Sequence, residues 1–185
     1  METIKVKKPT KKMWVMILLS AALLFVVSFS TASAGKHKDV LKPKKDKVEF
    51  FGSPTSSISS AVSVPKSYNQ LSFSGTVPSV IDRNGATIYE RYGDTKTQAI
   101  SILNNIKGQL ELKGLSMKDV TYLRVYVTPD PLKNNTFDFQ GWNAAYGEFF
   151  NTEENPVKTA RSTVGVPALV NSDWLIEIEA FVAYK

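Results

Sequence analysis

Residues 176–180 read Ile-Glu-Ile-Glu-Ala, and this alternation constrains the fold more than any other stretch. Successive side chains of a strand point to opposite faces, so Ile176 and Ile178 share one face while Glu177 and Glu179 share the other. Such a strand belongs to a sheet that is covered on one side only. Apolar and polar residues continue to mix over residues 174–184, which are read as the closing strand. Helices elsewhere in the chain are then needed to cover the isoleucine face.

The remaining elements follow from periodicity and punctuation. Residues 48–51 and 61–64 read as short strands, and residues 70–74 as another, with 65–69 as a turn. Gly75 breaks that strand, and Asn84-Gly85 marks a turn in a surface loop. Residues 94–113 are predicted to form a helix: Asp94 can cap it, Ala99, Ile102, Leu103, Ile106 and Leu110 recur at helical spacing, and Gly114 stands where a C-cap wants positive φ. Residues 120–128 form a strand stopped by Pro129 and Pro131. Residues 137–150 give a second helix with Phe139, Trp142, Ala145, Tyr146 and Phe149 on one face. The last two strands are 161–166 and 174–184. This order predicts an α+β sandwich, two helices packed on one face of a mixed sheet. A doubly wound nucleotide fold would need a glycine-rich strand-to-helix turn, and Gly75-Thr76-Val77-Pro78 is not one.

The N-terminus has a different character. Five lysines (Lys5, Lys7, Lys8, Lys11, Lys12) precede an apolar run over 13–29, and Ala32-Ser33-Ala34 offers small residues for cleavage before Gly35. Residues 1–34 are expected to be a signal peptide that directs export to the periplasm or beyond. The competing reading is an uncleaved membrane anchor, the only membrane contact foreseen. Six further lysines crowd 35–47, so the basic linker and first strand occupy 35–52 and the domain 53–185. The formal charge of +6 belongs to these leading segments, because residues 48–185 hold 12 basic and 14 acidic residues. A domain this acidic lacks the basic stripe of a nucleic-acid binder, so no nucleic-acid partner is expected.

The chemistry available is narrow. The chain has no cysteine, and its one histidine, His37, lies in the linker, so a Ser-His-Asp hydrolase is excluded and no spacing suggests metal ligands. Arg161 can grip a carboxylate through its planar fork, or pair with a neighbouring acid. Glu177 and Glu179 are a solvated stripe if their face is open, or include a general base if it borders a cleft. Ser74-Gly75 ends a strand with backbone N–H groups free to hold a ligand. Asn143 and Tyr146 stand at i and i+3 on the second helix, Tyr146 fitting the core with its hydroxyl bonded.

Phe73-Ser74-Gly75-Thr76-Val77-Pro78, the helix end Gly-Gln-Leu-Glu-Leu-Lys-Gly-Leu-Ser, residues 120–128, Trp142-Asn143-Ala144-Ala145-Tyr146, Ala160-Arg161-Ser162-Thr163-Val164-Gly165-Val166 and Ile176-Glu177-Ile178-Glu179-Ala180 together resemble the Rid/YjgF family of reactive-intermediate imine deaminases, also known as L-PSP endoribonucleases. The resemblance spans about residues 53–185. It implies a chorismate-mutase-like α+β fold forming a homotrimer, with a cleft between neighbouring subunits and no cofactor. It also implies that Arg161 grips a substrate carboxylate while Glu177 activates water, and that Ser74, Gly75, Asn143 and Thr163 line the pocket. Two positions depart from the family: Ser59-Ser60-Ala61 stands in place of Gly-Pro-Tyr, and Thr163 in place of a cysteine. The expected function is an exported deaminase hydrolysing small imine or enamine carboxylic acids. The alternative is a non-catalytic module that holds a small carboxylate in the same cleft.

Overall fold

The computed structural model describes residues 46–185; the expected leader and most of the basic linker lie outside them. In chain order the elements are β1 (Glu49–Phe51), β2 (Ala61–Ser63), β3 (Asn69–Ser72), α1 (Ile88–Tyr92), α2 (Thr95–Glu111), β4 (Val120–Val127), β5 (Pro129–Asp130), β6 (Thr136–Phe137), α3 (Phe139–Phe149), β7 (Ala160–Gly165) and β8 (Ile176–Tyr184). The main sheet runs β3-β8-β4-β7, antiparallel except for the parallel pair of β4 and β7. It is the mixed sheet that the sequence predicts.

Register makes the two faces explicit. Val125 of β4 lies opposite Ile178 of β8, and Val127 opposite Ile176. These residues, with Leu123, Ala180 and Val182, are buried under α2 (Ala99, Ile102, Leu103, Ile106, Leu110) and α3 (Trp142, Ala145, Tyr146). Burying each of the larger side chains contributes about 1.5–3 kcal/mol. The other face carries Tyr122, Arg124 and Tyr126 beside Glu177, Glu179 and Phe181, none of them fully buried.

The ends of α2 follow their sequence signals. The Asp94 side chain accepts from the Thr97 N–H, Gly114 has φ +72, and the Leu115 N–H donates to the Leu110 carbonyl at 3.0 Å. The boundaries are Thr95–Glu111 rather than 94–113, since Asp94 is the cap itself. The second helix starts at Phe139, because Thr136 and Phe137 pair with β5 and Asp138 caps the helix through the Gly141 N–H. α1 stands where a loop is expected. Thr87 and Glu90 form its capping box, and Gly93 at φ +81 ends it.

α1 and α2 also fix the start of β8. Arg91 grips Asp173 through two hydrogen bonds, of 2.5 and 2.8 Å. Buried Gln98 donates to the Gly93 and Asp173 carbonyls and accepts from the Leu175 N–H. The strand bearing Glu177 thus enters the sheet from a loop held on three sides.

Candidate active site

Arg161 lies in register with Leu123, so its side chain leaves the helix-covered face of the sheet. β7 is the edge strand there, and the guanidinium reaches over α3. Its central carbon sits 4.3 Å from the Tyr146 ring centroid and 5.2 Å from that of Trp142. One terminal nitrogen, Nη2, donates to Asn143 Oδ1. The other, Nη1, is buried and has no hydrogen-bond partner. No ion pair among the described residues involves Arg161. Burial pulls its pKa below the usual guanidinium value, with the Tyr146 hydroxyl opposing the shift. A guanidinium still keeps its proton at neutral pH, so this is an uncompensated, partly desolvated cation. Pairing with an acid of its own chain, the bland reading of Arg161, is not what the structure shows.

The cation opens on a recess of about 320 Å³ lined by Ile58, Phe139, Trp142, Asn143, Arg161 and Thr163. Trp142 Nε1 donates to Thr163 Oγ1 at 3.0 Å, which consumes the indole donor. Tyr146 is core as expected, its hydroxyl donating to the carbonyls of Ser57 and Thr159. Its ring is also the platform under Arg161, a role that sequence reasoning missed. Trp142 and Tyr146 at i and i+4, with Asn143 between, carried the signal.

Glu177 is on the opposite face, in register with Tyr126. The sequence reading has Arg161 and this glutamate meet across a subunit boundary; within one chain they stand on opposite faces of the sheet. Parallel pairing puts Arg161 on the Leu123 side, and antiparallel pairing puts Glu177 on the Tyr126 side. The two acids of β8 also separate in role. Glu179 pairs with Arg124 at 2.8 Å and accepts from the Tyr126 hydroxyl at 3.4 Å. Glu177 has no such cation, and burial, helped by the charge of Glu179, lifts its pKa above the ordinary carboxylate value.

Gly75 explains where the Glu177 carboxylate rests. The Phe73 N–H donates to the Ala180 carbonyl and the Thr76 N–H to the Ile178 carbonyl, so Ser74 and Gly75 together oppose Glu179 alone. This is a β-bulge continuing β3. A Cβ at position 75 would lie 1.8 Å from Glu177 Oε1, so only glycine leaves room for the carboxylate. Ser74 and Gly75 line a separate recess of about 650 Å³, with Asn105, Gln109 and Lys113 across it. The expected site residues therefore fall into two groups: Arg161, Asn143 and Thr163 line one recess, Ser74 and Gly75 line the other, and Glu177 rests against Gly75. Among the described residues no group of three His, Cys, Asp or Glu side chains could hold a metal ion.

The described residues form an α+β domain with a guanidinium and a carboxylate, neither in an ion pair, on opposite faces of one sheet. The chain belongs to the Rid/YjgF family: the family model described as endoribonuclease L-PSP matches residues 53–184. A RutC family protein of Pyrococcus horikoshii is 37% identical over 120 residues, covering 65% of this chain and 82% of the relative. The 2-iminobutanoate/2-iminopropanoate deaminase of Escherichia coli K12 is 37% identical over 117 residues, 63% of this chain and 81% of that protein. Among solved structures, a conserved Rid-family protein of unknown function from Yersinia pestis superposes with a TM-score of 0.54 at 29% identity, covering 73% of this chain and 97% of that one.

Proposed function

We propose that this protein is an imine deaminase that works as a homotrimer, each site pairing the Arg161 half of one protomer with the Glu177 half of its neighbour. The observation that carries this reading is the Arg161 guanidinium, which lines a recess and has no acidic partner among the described residues. A substrate carboxylate satisfies it with charge-assisted hydrogen bonds. Asn143 holds the guanidinium in plane from one side, and the Tyr146 and Trp142 rings support it from below.

The chemistry asked of the second half is small. Glu177 accepts a proton from water as the water oxygen bonds to the iminium carbon and the C=N π pair moves to nitrogen; protonated Glu177 then passes that proton to the nitrogen. Collapse of the resulting carbinolamine breaks the C–N bond, releasing ammonia and leaving a 2-oxo acid. An iminium is already electrophilic, so orientation and one base suffice. The relatives named as deaminases support the reaction class. The basic, apolar and small-residue order of the first 34 residues supports export, and a mature N-terminus at Gly35 is the result expected by mass spectrometry of the secreted fraction.

The direct test is ammonia release from imines generated in situ from amino acids by an amino-acid oxidase, with and without the protein. Acceleration is expected; no acceleration with any amino-acid-derived imine refutes the reading. The base works ionised, and burial raises its pKa, so the rate is expected to fall on acidification at a pH above the ordinary glutamate value. A limb below the ordinary glutamate value contradicts the assignment of Glu177. Gly75→Ala places a methyl group where the carboxylate lies and is expected to cut turnover by at least about tenfold. Unchanged turnover in that variant would show that the position of the carboxylate is immaterial.

A further inference from the structure

Four exposed lysines meet at one end of the main sheet. Antiparallel pairing sets Asn69, the first residue of β3, opposite Tyr184 at the end of β8, and Val120, the first of β4, opposite Val182. The turn before β3, the single helical turn Met117–Asp119 before β4 and the last residue of the chain therefore share that end. They carry Lys66, Lys118 and Lys185. The chain also enters the domain there: the Tyr68 hydroxyl donates to the Asp46 carbonyl at 3.4 Å, and Ser67 Oγ to the Asp46 carboxylate at 3.2 Å. Lys47 and Lys118 line a recess of about 350 Å³ together with Val48, Phe50 and Tyr68. The Lys185 ammonium lies 5.2 Å from the Tyr68 ring centroid. None of the four lysines is in an ion pair among the described residues.

We propose that this end of the domain docks on an anionic phospholipid surface; the proposal does not depend on the deaminase reading. Charge sets the class of partner. Residues 36–45 add five lysines to the segment that ends in Lys47, so nine belong to this end and its approach, against Asp39, Asp46, Glu49, Asp119 and the terminal carboxylate. The Asp119 carboxylate already accepts from the Ser116 N–H and hydroxyl. The rest of residues 48–185 holds 9 basic and 12 acidic residues. An anionic surface thus attracts this end and repels the remainder, which orients the domain. Sequence order favours lipid over other polyanions, because the lysines begin seven residues after the apolar run over 13–29. Lysines so placed are drawn to anionic headgroups, each strengthening attachment about fivefold. Tyr68 sets an amphipathic ring among them, the residue type that settles at headgroup depth.

The experiment sediments the full chain with vesicles of phosphatidylcholine alone and of phosphatidylcholine with phosphatidylglycerol, at low and high salt. Binding at least about tenfold tighter to the anionic vesicles is expected, weakening as salt screens the charges. Lys66→Gln, Lys118→Gln and Lys185→Gln combined leave the linker whole and are expected to weaken it at least about tenfold. The corresponding triple change to Arg keeps the charge and is expected to bind like wild type; a loss there contradicts the proposal. Arg83→Gln, Lys96→Gln and Lys133→Gln remove the same charge near the other end of the sheet, around the end of β4 and the start of β8, and should leave binding unchanged. Equal losses in the two Gln variants reduce the effect to net charge and overturn the proposal. Equal, salt-insensitive binding to both kinds of vesicle does the same, assigning attachment to the apolar run. Tighter capture of a single-stranded oligonucleotide than of anionic vesicles assigns the lysines to nucleic acid and also overturns it.

Discussion

Replacing Glu177 by Gln is expected to lower imine turnover by about 10²- to 10⁴-fold, the usual contribution of a positioned general base. The amide keeps the size and place of the carboxylate over Gly75 but cannot take a proton from water. Binding of a 2-oxo acid should change little, because on this proposal Arg161 and not Glu177 holds the carboxylate. Stability should not fall. The raised pKa means that the folded protein disfavours the ionised form, so at neutral pH the charge opposes folding, and removing it relieves that opposition. Turnover and binding measured together separate the two functions considered from the outset. A deaminase loses rate and keeps affinity, whereas a module that only holds a carboxylate shows no turnover in either form and keeps its affinity.

Arg161→Ala is expected to lower kcat/KM by about 10²-fold or more, since each hydrogen bond to a charged group contributes roughly 1.5–3 kcal/mol and the carboxylate has no other cation in the recess. Arg161→Lys should restore only part of this, because an ammonium cannot reproduce the planar fork held between Asn143 and the aromatic rings. The fold should tolerate the alanine. Truncating one member of a buried ion pair leaves a stranded charge, but Arg161 has no acid to strand; what is lost is its packing on Tyr146 and Trp142, about 0.5–2 kcal/mol of cation–π attraction. A thermal melt near that of wild type together with collapsed kcat/KM is the expected pair of results. Full activity in the alanine variant rejects Arg161 as the anchor.

Much of this was legible in the sequence because it is local. The Ile-Glu alternation gives the two faces of β8 from a two-residue period, and Asp94 and Gly114 mark α2 through caps that need no tertiary partner. The face on which Arg161 emerges is not local. Alternation within β7 says that Arg161 and Thr163 share a side, but which side depends on the parallel register with β4, a pairing between segments distant in sequence. The bulge at Ser74–Gly75 escaped for the same reason, since it exists only relative to β8. Arg124 drew no attention as a residue, yet it neutralises Glu179 and so leaves Glu177 as the uncompensated acid. The five-residue α1 is too short for periodicity to reveal, though Thr87 and Glu90 spell its capping box.

The claim that neighbouring copies share each site is tested most directly by mixing two inactive variants. Arg161→Ala and Glu177→Gln chains, co-expressed with different tags and purified through both, combine intact halves wherever a Glu177→Gln protomer offers its arginine to an Arg161→Ala neighbour offering its glutamate. In either mixed closed trimer one of the three sites is wild type, so roughly a third of wild-type turnover should return. Mixed assemblies no more active than either variant alone would contradict a site built from two chains.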